Sequence, residues 1–177
     1  LGLDQGGITL LTPDKKFGQL MVYVEDSSVQ DIEGLSFPIV KGIPYQDALL
    51  AGQPFTSYDV ANDPRLAEFL SFNSENPPKS LLESPLIIQG ETVGWIGADA
   101  VKEHRDFSQR EVDLARAMAD QIAIAIQNRR LLEQTKRRAE QLKAVAEVGH
   151  SVSRMIDLDE ILNKTVDLIR DRFGFHH

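Results

Sequence analysis

Residues 107–132 read FSQREVDLARAMADQIAIAIQNRRLL and hold the strongest structural signal in the chain. Ser108 and Glu111 stand three apart, the spacing at which each side chain caps the other's backbone amide, so a helix is expected to start there. Behind them Val112, Ala115, Met118, Ala119, Ile122 and Ile126 recur in steps of three and four, which sets one face of that helix on a sheet. A second series, Leu114, Ala117, Gln121, Ile124, Asn128 and Leu131, falls on another face. One sheet does not use both, so the helix is expected to have two partners.

Immediately upstream, Pro85-Leu86-Ile87-Ile88 and Thr92-Val93-Gly94-Trp95-Ile96-Gly97 are two β-prone runs joined by Gln89-Gly90-Glu91, a turn of hairpin length. The order strand, tight turn, strand, loop, capped helix closely resembles the end of a GAF domain. The resemblance rests on Ser84-Pro85-Leu86-Ile87-Ile88, on Gly90-Glu91-Thr92-Val93-Gly94, on Asp106-Phe107-Ser108 and on the run from Ala119 to Asn128. It extends upstream through Gly52-Gln53-Pro54 and Asp59-Val60 to Asp63-Pro64-Arg65, covering most of the chain.

In chain order, Gly7–Leu11 reads as a short strand, Pro13–Lys16 as a turn and Leu20–Val24 as the return strand of a hairpin. Asp26–Gly34 is polar and without period, hence a loop, and Leu35–Val40 is extended ahead of and through Pro38. Pro44 and Gly52 bracket a short helix over Tyr45–Ala51. Phe55–Val60 is read as a strand, Leu66, Phe69, Leu70 and Phe72 as a short helix, and Asn73–Lys79 as a loop. The fold class expected is α+β: a GAF-like antiparallel sheet flanked by helices, with a long C-terminal linker helix.

A composition of 42% hydrophobic and 26% charged residues over 177 positions suits one well-buried domain plus an extension. The net charge of −8 argues against nucleic acid or an anionic membrane as the main partner, since either needs a basic field. No apolar run reaches membrane-spanning length and no signal peptide opens the chain, so a cytoplasmic location is expected. The chain opens at Leu1 without a Met and reads as a piece of something longer. The absence of cysteine removes disulfides, thiolate metal sites and thiol catalysis.

The resemblance implies a regulatory sensor module with a small-molecule pocket roofed by the segment between the middle strands. The candidate ligand-binding residues are Tyr58, Asp59 and Arg65 as polar contacts, with Phe69, Phe72 and Trp95 as apolar walls. Arg65 would suit a carboxylate or phosphate, and a surface ion pair is the plain alternative. Phe69 and Phe72 read first as core residues, because apolar pairs at helical spacing pack against a sheet. Asp63 ahead of Pro64 reads as a cap rather than a ligand contact. Bilin attachment through cysteine and the sulfoxide reductase chemistry of some GAF proteins both need residues this chain lacks. The asparagine-lysine-phenylalanine-aspartate-glutamate signature of cyclic-nucleotide GAF domains is not seen. His104, in the charged loop Lys102–Arg105, reads as a solvated histidine rather than a haem ligand. No cofactor is named by the sequence, no catalytic or metal-binding residue is assigned, and the protein is expected not to be an enzyme.

Beyond the domain, the second helical series continues through Thr135, Arg138, Leu142, Val145, Gly149, Val152 and Ile156, a seven-residue spacing suited to a coiled-coil seam. His150 lacks the acidic, arginine and proline followers of a kinase acceptor histidine. Asp157 and Glu160 repeat the capping spacing, and Leu158, Ile161, Leu162, Thr165, Leu168, Ile169 and Phe173 form an apolar stripe. Phe173-Gly174-Phe175-His176-His177 echoes Leu1-Gly2-Leu3-Asp4-Gln5, with tag remnants the plain alternative for the two histidines. The organisation expected is a GAF domain lacking its first helix over 1–130, a helical linker over 131–156 and the first helix of a following GAF domain over 157–177. Such a chain would be one module of a tandem-GAF signalling protein, such as a sensor histidine kinase. Its partners would be a small molecule, a second copy through the C-terminal helix and a downstream output domain. The competing expectation is a ligandless dimerisation or spacer module.

Overall fold

The structure is a computed structural model. It describes residues 4–25, 28–29, 35–72 and 77–173, and the side chains of these except 71, 72, 151–157 and 173. The Phe72 side chain, the loop residues 26–27, 30–34 and 73–76, and most of the terminal echo at 1–5 and 173–177 therefore lie outside the described residues. The chain divides into two compact units, 1–127 and 128–177.

The first unit is built on an antiparallel sheet. Its strands are β1 (Gln5–Leu11), β2 (Phe17–Glu25), β3 (Ser28–Val29), β4 (Ser36–Pro38), β5 (Phe55–Ser57), β6 (Ser80–Ile88) and β7 (Glu91–Ala100). The order across the sheet is β3-β2-β1-β7-β6-β5, with β4 pairing β2 off that path. Helices α1 (Pro44–Leu50) and α2 (Ala67–Phe72) and two 3-10 turns, Val60–Asn62 and Pro64–Leu66, join the middle strands. Helix α3 runs from Gln109 to Phe173.

Period-two alternation assigns the two faces. Ile8, Leu10, Leu86, Ile96 and Val93 pack against Ala119, Ala123, Ile122 and Ile126 of α3. Leu11, Leu81 and Trp95, on the other face, pack with Ile43, Tyr45, Leu49, Phe55, Val60 and Leu66. Each fully buried leucine here contributes about 1.5–3 kcal/mol.

The hairpin β6–β7 shows why its turn residues are required. Gln89 and Gly90 both take positive φ, 54° and 82°, the two-residue turn whose twist matches the strands it joins. Gly94 is needed for a different reason: a Cβ there would lie 2.1 Å from the Thr9 carbonyl oxygen, so only glycine lets β7 close on β1.

Four expectations are corrected. The reciprocal cap at the start of α3 is half made: Ser108 N–H donates to the Glu111 carboxylate at 2.9 Å, but the Ser108 hydroxyl donates to that carboxylate at 2.8 Å. The Glu111 amide meets the Ser108 carbonyl instead, and Arg105 pairs with the same Glu111 carboxyl group. Met118 is 48% exposed rather than in the core face, since it sits one residue, about 100° of helical turn, away from Ala119. Strand β5 ends at Ser57, because Asp59 turns the chain into a 3-10 helix. Strand β6 begins at Ser80, five residues before the first one expected.

The second unit is the remainder of α3, with no proline in its sequence and with exposed pairs Arg129–Glu133 and Glu160–Lys164 one turn apart. Helical backbone continues through Gly149 and Asp157, so the capping spacing at Asp157 starts no new helix. Leu131, Leu142, Val145, Ile161, Leu168 and Ile169 are exposed on it. Among the described residues, no helix is long and apolar enough to cross a membrane.

Candidate functional site

The face of the sheet opposite α3 is not filled. A cavity of about 400 Å³ lies over the middle strands, within the range of small-molecule sites. Strand register sets out this face of the sheet in three rows, of which Pro85, Glu25 and Leu81 alone do not line the cavity. Leu20, Thr9, Trp95 and Pro85 make the first, Tyr23, Gly7, Gly97 and Glu83 the second, and Glu25, Gln5, Asp99 and Leu81 the third. Two glycines side by side in the second row leave a hollow between Tyr23 and Glu83. The walls are aromatic: Phe37 stands 6.0 Å from Trp95 between ring centres, and Phe69 meets Tyr45 edge-on at 5.8 Å.

Two carboxyl groups enter this space. Burial pushes Glu83 up to about 8, with the charge of Asp99 adding to the effect, and burial alone pushes Asp99 up to about 7. Glu83 Oε2 has no hydrogen-bond partner among the described residues, a cost that a native structure rarely leaves standing without use. Tyr23 is raised to about 12 by burial and then by Glu25 and Asp99, and Tyr45 is raised by burial and then by Glu83. Gln5 is held on the rim by its bond to Glu25 at 2.7 Å.

Of the residues singled out from sequence, Phe69 and Trp95 line this cavity. Tyr58, Asp59 and Arg65 do not, and each is occupied elsewhere. Tyr58 is 53% exposed and stacks on His104 at 5.3 Å. Asp59 caps the turn Val60–Asn62, accepting from the Asn62 side chain at 2.8 Å. Arg65 is forked onto Asp63 at 2.6 and 2.9 Å, donates to the Thr56 carbonyl and lies 4.5 Å over the Phe55 ring. Asp63 meanwhile caps the turn begun by Pro64, as its position ahead of proline predicts. Arg65 therefore completes a structural clasp and is not aimed at this cavity.

Sequence reasoning missed Glu83, Asp99, Gln5, Thr9, Tyr23, Phe37 and Tyr45 as lining residues. A signal existed for two of them. Trp95, Gly97 and Asp99 share one face at strand spacing, and Glu83 is the one charge between Leu81-Leu82 and Pro85-Leu86-Ile87-Ile88.

A family model described as GAF domain matches residues 1–127, most of the chain. The chain belongs to the GAF domain family. Solved structures share this GAF fold at low identity. A methyl-accepting chemotaxis protein fragment, residues 122 to 287, is 20% identical with a TM-score of 0.62, over 74% of this chain and 82% of that one. The blue-light absorbing form of the Thermosynechococcus elongatus PixJ GAF domain is 17% identical, TM-score 0.58, over 75% and 79%. A type II free methionine-R-sulfoxide reductase from Thermoplasma acidophilum is 24% identical, TM-score 0.52, over 68% and 77%. No curated protein matches the chain. In this GAF domain the cavity lies on the sheet face away from α3, bounded by α1, α2 and β4.

Proposed function

We propose that this GAF domain is a regulatory sensor module that binds a small molecule in the cavity over β1, β6 and β7. In this reading it passes its state along α3, paired with a second copy, to an output domain elsewhere in the parent protein. The observation that carries the ligand half is the hollow itself: about 400 Å³ with aromatic walls and a buried, unpartnered Glu83 oxygen in its floor. A spacer has no use for such a space, because a filled core of the same residues would be more stable. The kinship of the fold to part of a chemotaxis protein and to a blue-light absorbing GAF domain fits a signalling role. The absence of cysteine speaks against the reductase chemistry of the third neighbour.

The transmission half rests on the apolar series along α3, exposed in a single chain at Leu114, Ile124, Leu131, Leu142 and Val145. Such a stripe is buried when two helices pair. The division into a GAF domain, a linker over 131–156 and the first helix of a following GAF domain over 157–177 belongs to the same proposal, as does placement upstream of a histidine kinase in the cytoplasm. A metabolite library screened by thermal shift, with hits weighed by mass spectrometry under non-denaturing conditions, tests the ligand half. At least one molecule should raise the melting temperature and add its mass. If none does, the module is a ligandless spacer and only the helix carries information.

A further inference from the structure

We infer that the cavity selects a small organic cation, an ammonium, amidinium or guanidinium group carried on an apolar or aromatic body, held between Glu83 and Asp99. This rests on the reading of the cavity as a ligand site and names the class of molecule it takes. The lining contributes two carboxyl groups and, among the described residues, no lysine, arginine or histidine. Arg65, the cation that sequence alone offers for an anionic ligand, is spent on Asp63 outside this space. The charge preference of the site is therefore opposite to the one its sequence suggests.

Geometry supports a single cationic group bridging the two acids. Glu83 pairs with Gly97, and Asp99 lies two residues further along the same strand on the same face. Such diagonal neighbours are roughly 7–8 Å apart at the backbone, with the carboxyls able to converge on one nitrogen. Gly97 puts no side chain between them, a Cβ there would meet Glu83 Oε1 at 3.8 Å, and all three residues line the cavity. Glu83 Oε2 is buried and has no partner among the described residues, an acceptor that an N–H donor would satisfy. Around the acids stand Trp95, Phe37, Tyr45 and Phe69, whose ring faces and edges suit an apolar body and add cation–π attraction. In the empty cavity burial favours the protonated acids. An entering cation favours their ionised forms and is held by a charge-assisted pair in a water-poor space.

The test uses the full chain at pH 7.5 and probes that share one ring system: tryptamine as the cation, 3-ethylindole as its neutral counterpart and indole-3-acetate as the anion, with phenethylamine and benzamidine as further cations. Affinities are read by titration calorimetry and melting shift, for wild type, Glu83→Gln and Asp99→Asn. The expected result is that at least one cation binds tenfold or more tighter than the neutral and anionic indoles. Each variant should weaken that cation tenfold or more while its own unliganded melting temperature stays at or above wild type and 3-ethylindole binding stays within twofold. Equal or tighter binding of indole-3-acetate or 3-ethylindole overturns the cation assignment and leaves the ligand cavity standing. Unchanged cation affinity in both variants overturns the bridging role. If no cation binds, the assignment falls; if the metabolite library is also silent, the ligand reading falls with it.

Discussion

Glu83 sits in the middle of a sheet, in a row with two glycines and a tyrosine, with one oxygen lacking a partner. Its carboxyl and that of Asp99 are raised in the folded protein from 4.5 and 3.8 to about 8 and about 7. The folded state thus holds protons that the unfolded chain has released, so the stability these two groups contribute is full below about pH 4 and is lost as pH rises through about 7 to 8. Tyr23 from β2 and Tyr45 from α1 face this pair, and burial raises both well above that window. The unliganded protein should melt at a lower temperature at pH 8.5 than at pH 5.5, and Glu83→Gln should remove most of that slope; a slope of the opposite sign in wild type would refute it. Arg65 makes the contrasting case. Its fork onto Asp63 holds that carboxyl down at about 2, through the guanidinium hydrogen bonds first. Asp63→Ala should therefore cost about 1 kcal/mol by loss of the cap, and Arg65→Ala should leave the affinity of any cavity ligand within twofold by calorimetry.

Among the elements, the end of the domain was legible because its signals are local. Gly90 marks the turn, the alternation of β7 fixes its faces, and Ala119, Ile122 and Ile126 of the helical series lay α3 on the sheet. The candidate site was legible in part: Phe69 and Trp95, named through the resemblance to GAF domains, do line the cavity. Tyr58, Asp59 and Arg65 were drawn from their nearness in sequence to apolar residues, and local chemistry claimed them first, as a stack on His104, a cap and a clasp. Glu83 and Asp99 become neighbours only through the register of two strands, information that lies in pairing rather than in either strand by itself. The close approach at Gly94 is likewise a fact of pairing, and it carries a prediction. Gly94→Ala must push β1 and β7 apart, so chemical denaturation should show a loss of about 2 kcal/mol or more, or no folded protein, whereas Gly149→Ala, with nothing within 4 Å, should be neutral or slightly stabilising.

For the whole molecule, the account joins a ligand cavity to a helix that carries an unburied apolar stripe. Sedimentation at micromolar concentration should find a dimer, and the double substitution Leu114→Glu with Ile124→Glu should yield monomers with an unchanged melting profile of the domain. A monomeric wild type would remove the pairing half of the account. The cavity forgoes packing that a larger side chain could supply, which is the reason for proposing it as a ligand site. Trp95 is the one tryptophan of the chain and forms a wall of the cavity, so its emission reports on that space alone. The deciding measurement is Trp95 emission across a metabolite library for wild type and for the cavity-filling variant Gly97→Val. The account predicts that at least one molecule shifts the wild-type emission and that the same molecule leaves Gly97→Val unchanged. No shift with any molecule, or an equal shift in both proteins, would contradict it.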